Sequence, residues 1–367
     1  MATSQAFAGE GGFVKILLVK LSSLGDVVHT LPVVQDIRAV LPNAQIDWVV
    51  ERSFAPLLDC CPGLYQTIAC NLRRWRKTPL STDTRQEFAV FLKALRRTRY
   101  DAVIDLQGLT KSAVVARLAR LAVRGKRYAL ANRTDGSGYE APTRWLADVA
   151  VPIPVHTAAV ERGRMLAGQA LGYQPSAVAD FGLKMPFPHD GYGFVATKNI
   201  AKRIAFVHGT SRADKEWPLA CWIALGQRFV AAGWQVVLAH GNADELATSH
   251  KIAAALNAPG SQSGALIWPA LALDTLVGAL AQCGGVIGVD SGVSHIAVAL
   301  DLPHVQLYNF DTAWRTGPHS ATGRQVSVFS QPFPTDLKVW QAWLGCIKTE
   351  KGENAETAGN GERADSP

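Results

Sequence analysis

The sequence has no uninterrupted apolar run of the roughly 18 residues that a membrane-spanning helix needs, and Met1 to Gly12 has neither a basic start nor an apolar signal core. A cytoplasmic protein without an integral anchor is expected. Cysteine is scarce: the six residues Cys60, Cys61, Cys70, Cys221, Cys283 and Cys346 form no C-x-x-C pair and no zinc-type spacing. In a reducing compartment these are core or surface thiols, so neither a disulfide framework nor a structural metal is expected. The Asn132-Arg133-Thr134 sequon is then coincidental. Neither a Walker sequence nor G-x-G-x-x-G occurs, which removes support for a P-loop kinase or an ordinary dinucleotide enzyme. Acidic residues nowhere cluster at magnesium-ligand spacing, so a metal-independent site with no cofactor is expected.

Apolar residues are plentiful at 48%, against 18% charged, and 367 residues suit two domains of ordinary size. Short β-rich runs alternate with polar loops and helical patterns: Lys15 to Val19, Gln45 to Val50, Asp101 to Leu106, Arg203 to Val207, Trp234 to Ala239, Gly284 to Val289 and His304 to Tyr308. That alternation predicts an α/β protein with parallel sheets built from βαβ units. A Gly- and Pro-rich stretch from Gly172 to Ile200 separates the two sets. The expected division is an extension without structure at 1–12, a first domain at 13–185, a second at 186–334, a helix at 335–348 and a polar tail without structure at 349–367. Leu337, Trp340, Trp343 and Leu344 lie on one face of that helix and are expected to pack back toward the first domain.

Ligands of open parallel sheets bind outside the carboxyl ends of the strands, and the loops there are polar. The first run is followed by Lys20-Leu21-Ser22-Ser23-Leu24-Gly25-Asp26-Val27-Val28-His29, and the Asp101 run by Gln107-Gly108-Leu109-Thr110-Lys111-Ser112. In the second half the corresponding loops are His208 to Pro218, His240 to Glu245 and Asp290 to His295. Ser291 and Gly292 stand where the unpaired N–H groups of a helix start favour an anion. Thr210, Ser211 and Lys215 add hydroxyls and a mobile positive charge, a set that fits a diphosphate. Spacing alone leaves Asp26 and Asp290 open as helix caps or as ligand-facing acids, His295 as structural or ligand-facing, and Gln107 and Lys111 as solvated loop residues or contacts.

Charge is uneven. Residues 1–185 hold 24 Lys and Arg against 15 Asp and Glu, whereas residues 186–367 hold 13 against 15. The densest cluster is Arg73-Arg74-Trp75-Arg76-Lys77, which suits an anionic acceptor or membrane surface better than a plain solvated face. Arg and Trp are not repeated in the way a nucleic-acid groove requires.

Taken together, Ser22 to Pro32, Arg73 to Lys77, Asp105 to Ser112, Thr210 to Pro218 and Asp290 to His295 resemble, in order, the motifs of the bacterial lipopolysaccharide heptosyltransferases, glycosyltransferase family 9. The resemblance runs from about Val14 to Ile347, and the His29-Thr30-Leu31-Pro32 continuation is most similar to the members that add the first heptose. It implies a GT-B fold, two Rossmann-like domains facing a central cleft that closes on substrate. It further implies transfer of L-glycero-D-manno-heptose from ADP-heptose to a Kdo residue of Kdo2-lipid A, with inversion, by a monomer peripheral to the anionic cytoplasmic face of the inner membrane. By that likeness Asp26 is the base. Thr210, Ser211, Lys215, Glu245, Asp290, Ser291, Gly292 and His295 meet the donor, with Asp290 on the heptose hydroxyls and Glu245 toward the adenosine end. Ser22, Gly25, Arg73, Arg74, Arg76, Lys77, Gln107 and Lys111 meet the acceptor.

The sequence departs from the family at Ser211 and Ser291, where Thr is common and the hydroxyl is kept. It departs also at Asn309-Phe310-Asp311-Thr312, where the family continues Gly-Pro-Thr and no contact is carried over. The competing readings are a heptosyltransferase acting on a later core acceptor and a non-catalytic binder of acidic lipid or nucleic acid. The second of these leaves the Lys215 and Asp290 loops unexplained.

Overall fold

The computed structural model describes the backbone of residues 13–184, 202–257, 264–318 and 323–359, and their side chains as far as Lys348. The expected extension at 1–12 and the last residues of the tail, 360–367, lie outside the described residues. Contacts divide the chain into two compact units, Met1–Lys184 and Met185–Pro367.

The first unit is built on six parallel strands: β1 (Lys15–Val19), β2 (Gln45–Glu51), β3 (Gln66–Cys70), β4 (Arg99–Asp105), β5 (Arg120–Leu130) and β6 (Val149–Val151). Their spatial order is β3-β2-β1-β4-β5-β6, so β1 and β4 are neighbours from which the chain winds outward in opposite directions. Alternate residues of the central strands face opposite sides of the sheet. Leu17, Val19, Val49 and Val103 pack with Phe91 and Leu95 of the helix Thr82–Leu95 and with Val115 and Ala116 of the helix Thr110–Leu118. The helices Leu31–Val40 and Ala159–Leu171 pack on each other, and the second of them also on β4. A buried ion pair ties these two together: Arg164, with no exposed surface, meets both Asp36 carboxylate oxygens, Nε at 2.7 Å and Nη2 at 2.9 Å. Bidentate geometry of this kind is what lets a charge pair survive burial.

The second unit repeats the plan with β7 (Arg203–Val207), β8 (Gln235–Leu238), β9 (Ala265–Ile267), β10 (Gly285–Val289), β11 (His304–Tyr308) and β12 (Gln325–Phe329). The order β12-β11-β10-β7-β8-β9 is the same winding, with β7 and β10 at its reversal point. One face carries Ile204, Phe206, Val236, Leu238, Ile287, Val305 and Leu307 against Trp217, Trp222, Phe229 and Trp343.

The last helix corrects two expectations. Its apolar face, expected to turn toward the first domain, is buried within the second. Val339, Trp343 and Cys346 belong to that domain's core, Trp340 lies edge-on to Phe229 at 5.0 Å, and the helix packs on β11, β12 and the helix Leu219–Ala231. Leu337, at the start, stays 48% exposed. Trp343, which has no exposed surface, contributes about 3–5 kcal/mol relative to Ala. The backbone also remains helical from Asp336 to Gly359, across the segment expected to be unstructured. Lys351, Glu353, Ala355 and Glu356 are good helix formers, and polarity alone does not stop a helix that is already nucleated.

No helix among the described residues is long and apolar enough to cross a membrane.

Candidate active site

Each sheet has a reversal point, and at each one polar side chains gather where the crevice of an open α/β sheet forms.

In the first domain, β1 delivers the chain into the short helix Leu24–Val28, and Ser23 and Asp26 close its first turn reciprocally. Asp26 Oδ2 accepts from the Ser23 N–H at 3.0 Å and from its hydroxyl at 2.9 Å. The capping role that spacing left open is therefore real, and it occupies only one oxygen. Oδ1 faces Lys20 Nζ at 3.5 Å and Arg162 Nη2 at 3.8 Å, while the side chain remains 35% exposed. Burial opposes ionisation of Asp26, but Lys20, the Ser23 N–H, His29 and Arg162 outweigh it and hold the carboxyl well below the usual carboxylate range. Lys20 is itself buried, which lowers its value against the pull of Asp26, and it donates to the Leu106 carbonyl at 3.0 Å.

The neighbouring loop after β4 braces this one. Gln107 Oε1 accepts from the N–H groups of Leu21 and Ser22 at 3.0 and 3.1 Å, and Lys111 Nζ donates to Ser22 Oγ at 3.3 Å. Gln107 and Ser22 are both buried, so their side chains shape the Asp26 loop. Beneath them Asp105, 1% exposed, accepts from the N–H groups of Gln107 and Gly108 and from Ser112 Oγ; burial pushes its carboxyl up to about 6. Gly108 sits at φ +77°, a left-handed conformation that strains any residue with a Cβ. Gly25 is the second residue of the Leu24–Val28 helix.

The basic cluster forms the helix Leu72–Lys77, anchored by Trp75, which is buried against Phe88 and Phe91 and donates to Glu87 at 2.9 Å. Arg74 is paired with Glu87 at 2.9 Å and lies 3.9 Å from Asp83, whereas Arg73, Arg76 and Lys77 are exposed.

In the second domain Asp290, at the end of β10 and 5% exposed, is the hub. Its Oδ2 accepts from Lys215 Nζ at 2.6 Å; its Oδ1 faces His295 Nε2 at 3.4 Å, Thr316 Oγ1 at 3.3 Å and Gln306 Nε2 at 3.5 Å. Burial again opposes ionisation, and His295 and Lys215 again overcome it, holding the carboxyl well below its usual range. Ser291 caps the helix Gly292–Ala299 by accepting from the Ser294 N–H. Thr210 is half-buried and Ser211 exposed on the loop after β7. Glu245 accepts from the Gly241 N–H at 2.6 Å, and a Cβ on Gly209 would fall 2.4 Å from its carboxyl carbon, so the glycine is what lets the β7 and β8 loops close together.

Four contributors escaped the sequence reading. Lys20 was visible as the residue after β1, but a lysine in a loop carries no sign of burial. Arg162 comes from the distant helix Ala159–Leu171 and has no local signal. Thr316 reaches Asp290, and Asn309 donates to the Asp214 and Glu216 carbonyls at 3.2 and 2.8 Å, holding the segment that carries Lys215. The loop from which no contact was carried over thus braces the lysine.

The model of glycosyltransferase family 9 (heptosyltransferase) matches residues 88–339. Lipopolysaccharide heptosyltransferase 1 of Pseudomonas aeruginosa is 36% identical over 321 residues, 87% of this chain and 84% of that protein. Lipopolysaccharide heptosyltransferase 2 of Salmonella typhimurium is 27% identical over 363 residues, 93% of this chain and 92% of that protein. Among solved structures, Escherichia coli heptosyltransferase WaaC with ADP is similar at a TM-score of 0.75 and 29% identity, covering 93% of this chain and all of that one. The same enzyme with ADP-2-deoxy-2-fluoro heptose is similar at 0.71.

Proposed function

As the chain belongs to glycosyltransferase family 9, the heptosyltransferases, we propose that it moves heptose from ADP-heptose onto the lipopolysaccharide inner core, its acceptor a Kdo residue of Kdo2-lipid A. The observation that carries this reading is Asp26: an ionised carboxylate, partly exposed, at the reversal point of a sheet, with one oxygen fixed by Ser23 and the other between two cations. The donor is supported by the relative solved with ADP and with an ADP-heptose analogue. The first-heptose acceptor is supported by higher identity to heptosyltransferase 1 than to heptosyltransferase 2.

In this mechanism the acceptor hydroxyl lies against Asp26 and gives up its proton as its oxygen bonds to the anomeric carbon. The bond from that carbon to the β-phosphate oxygen breaks, and its electron pair leaves with ADP. A carboxylate held so far below its usual range is a weak base, so the proton moves late, once the hydroxyl has become acidic through bond formation. Positioning and charge stabilisation supply the rest of the rate. Lys215 and the N–H groups at the start of the Gly292–Ala299 helix receive the diphosphate. Asp290, by holding Lys215 and His295, orders that pocket and accepts from sugar hydroxyls. Asp105, the neighbouring carboxylate, is buried and already triply hydrogen-bonded, which suits a single displacement with inversion better than a covalent intermediate.

The proposed mechanism draws its charge stabilisation from Lys215 and backbone N–H groups and not from a metal. A monomer working at the anionic cytoplasmic face of the inner membrane, with Arg73, Arg76 and Lys77 exposed toward acceptor anions, completes the proposal.

Incubation with ADP-heptose and Kdo2-lipid A, following ADP release and the mass of the lipid, tests it. One added heptose per lipid is expected. Transfer only to an acceptor that already carries heptose would make the chain a later-acting member, and no ADP release from ADP-heptose with either acceptor would overturn the reading.

A further inference from the structure

The helices Leu72–Lys77, Thr82–Leu95 and Thr110–Leu118 enclose a groove of about 600 Å³ in the first domain. Its walls are apolar, including Leu72, Phe88, Phe91, Val114, Val115 and Leu118. Two cations line it, Arg76 and Lys111, and the one acid there, Glu140, accepts the Thr110 N–H at 2.8 Å and so caps that helix. Phe91 and Val115 of its lining are buried, whereas Val114 and Phe88 remain 47% and 37% exposed. The groove also connects to the chemistry. Lys111 lines it and donates to Ser22, whose neighbour Ser23 holds Asp26.

Apolar walls with a few placed charges, in a volume of several hundred Å³, fit a ligand with an oily body and an ionic end. A peptide would need partners for its backbone N–H and C=O groups, which such walls do not offer; a hydrocarbon chain needs none. Two cations against one carboxylate leave the lining net positive, which favours an anionic head.

We propose that this groove receives one fatty acyl chain of the acceptor glycolipid, with a phosphate or carboxylate of its headgroup on Arg76 and Lys111. The proposal rests on the reading of the chain as a transferase to a lipid-linked acceptor, and it makes the enzyme selective for acylated acceptors. For an acceptor dispersed as single molecules, each methylene the groove covers strengthens binding by about fourfold. For one already in a bilayer the transfer of the chain is nearly neutral, and the groove acts by orienting the headgroup toward Asp26.

The test compares the wild type with Val114→Asp, a half-exposed position outside the catalytic loops, and with the gentler Val114→Ala, folding being checked by circular dichroism. Kinetics are measured with the acylated acceptor below its micellar concentration and with the same acceptor stripped of its acyl chains. Val114→Asp should raise KM for the acylated acceptor at least tenfold and leave KM for the stripped one within twofold, with kcat unchanged for both; Val114→Ala should shift in the same sense by less. Calorimetry with dodecyl phosphate should show binding to the wild type that weakens at least tenfold in Val114→Asp and is far weaker for hexyl phosphate. Equal KM changes for both acceptors, no change for either, or alkyl phosphates that bind both proteins alike would overturn the groove while leaving the transferase reading intact. Loss of self-association in Val114→Asp without a change in acyl selectivity would assign the groove to a second copy of the chain and overturn it as well. If neither form of the acceptor receives heptose, the first-heptose reading fails, and dodecyl phosphate still decides what the groove binds.

Discussion

Lys20 and Asp26 face each other at the carboxyl end of β1, ammonium nitrogen to carboxylate oxygen at 3.5 Å, the lysine buried and the aspartate partly open. The pair sets the ionisation of the proposed base. Burial alone would raise the Asp26 carboxyl, and Lys20 is the largest of the influences that reverse it.

Replacement of Lys20 by Met should therefore move the acid limb of the kcat/KM profile. With the depressed carboxyl of the wild type, activity should stay level down to pH 5. In Lys20→Met the limb should rise by about 1–3 pH units toward the ordinary carboxylate range, so that activity already falls at a pH where the wild type still holds its plateau. Profiles that superimpose would show that Lys20 does not govern Asp26.

Lys215 is assigned to the donor diphosphate. Lys215→Met should weaken ADP binding by about 1.5–3 kcal/mol, the range for a hydrogen bond to a charged group, and leave adenosine binding unchanged. Calorimetry with both ligands separates a phosphate contact from a general collapse of the pocket. Equal losses for ADP and adenosine would count against the assignment.

Two buried histidines in the second domain make its stability depend on pH. Burial pushes His208 down to about 4, helped by His240, and pushes His304 down to about 4 as well. Because the folded values lie below the ordinary one near 6.5, the unfolded chain takes up protons first as pH falls. Stability is complete above about 6.5 and declines toward 4, by about 2 kcal/mol per histidine between pH 7 and 5. Urea unfolding should show this loss in the wild type and recover most of it in a His208→Gln, His304→Gln double variant. A wild-type stability equal at pH 7 and pH 5 would contradict it.

How much of this was written in the sequence depends on burial. The central strands β1, β2, β4, β7, β8, β10 and β11 are buried on both faces and read as apolar runs. The strands toward the sheet edges did not: β5 carries Arg120, Arg124, Lys126 and Arg127, β3 is half-buried, and β6 and β9 are three residues each. Asp26, Asp290 and Lys215 were legible because a polar residue just past a central strand stands where a ligand would. Their partners were not. Arg162, Thr316 and Asn309 reach the two sites only through tertiary packing, and no local pattern distinguishes them from surface residues. The final helix was recognised from its Trp and Leu spacing, yet periodicity reports only that a face is buried and does not name the surface that buries it.

The central claim is that Asp26 removes the acceptor proton. Its most direct test is the rate of heptose transfer by Asp26→Asn, measured alongside ADP-heptose affinity. Asparagine keeps the shape and an oxygen for Ser23 but is not a base. The account predicts a fall in kcat of about 10²–10⁴ with donor affinity within threefold of the wild type. A variant that transfers heptose within tenfold of the wild-type rate would contradict it.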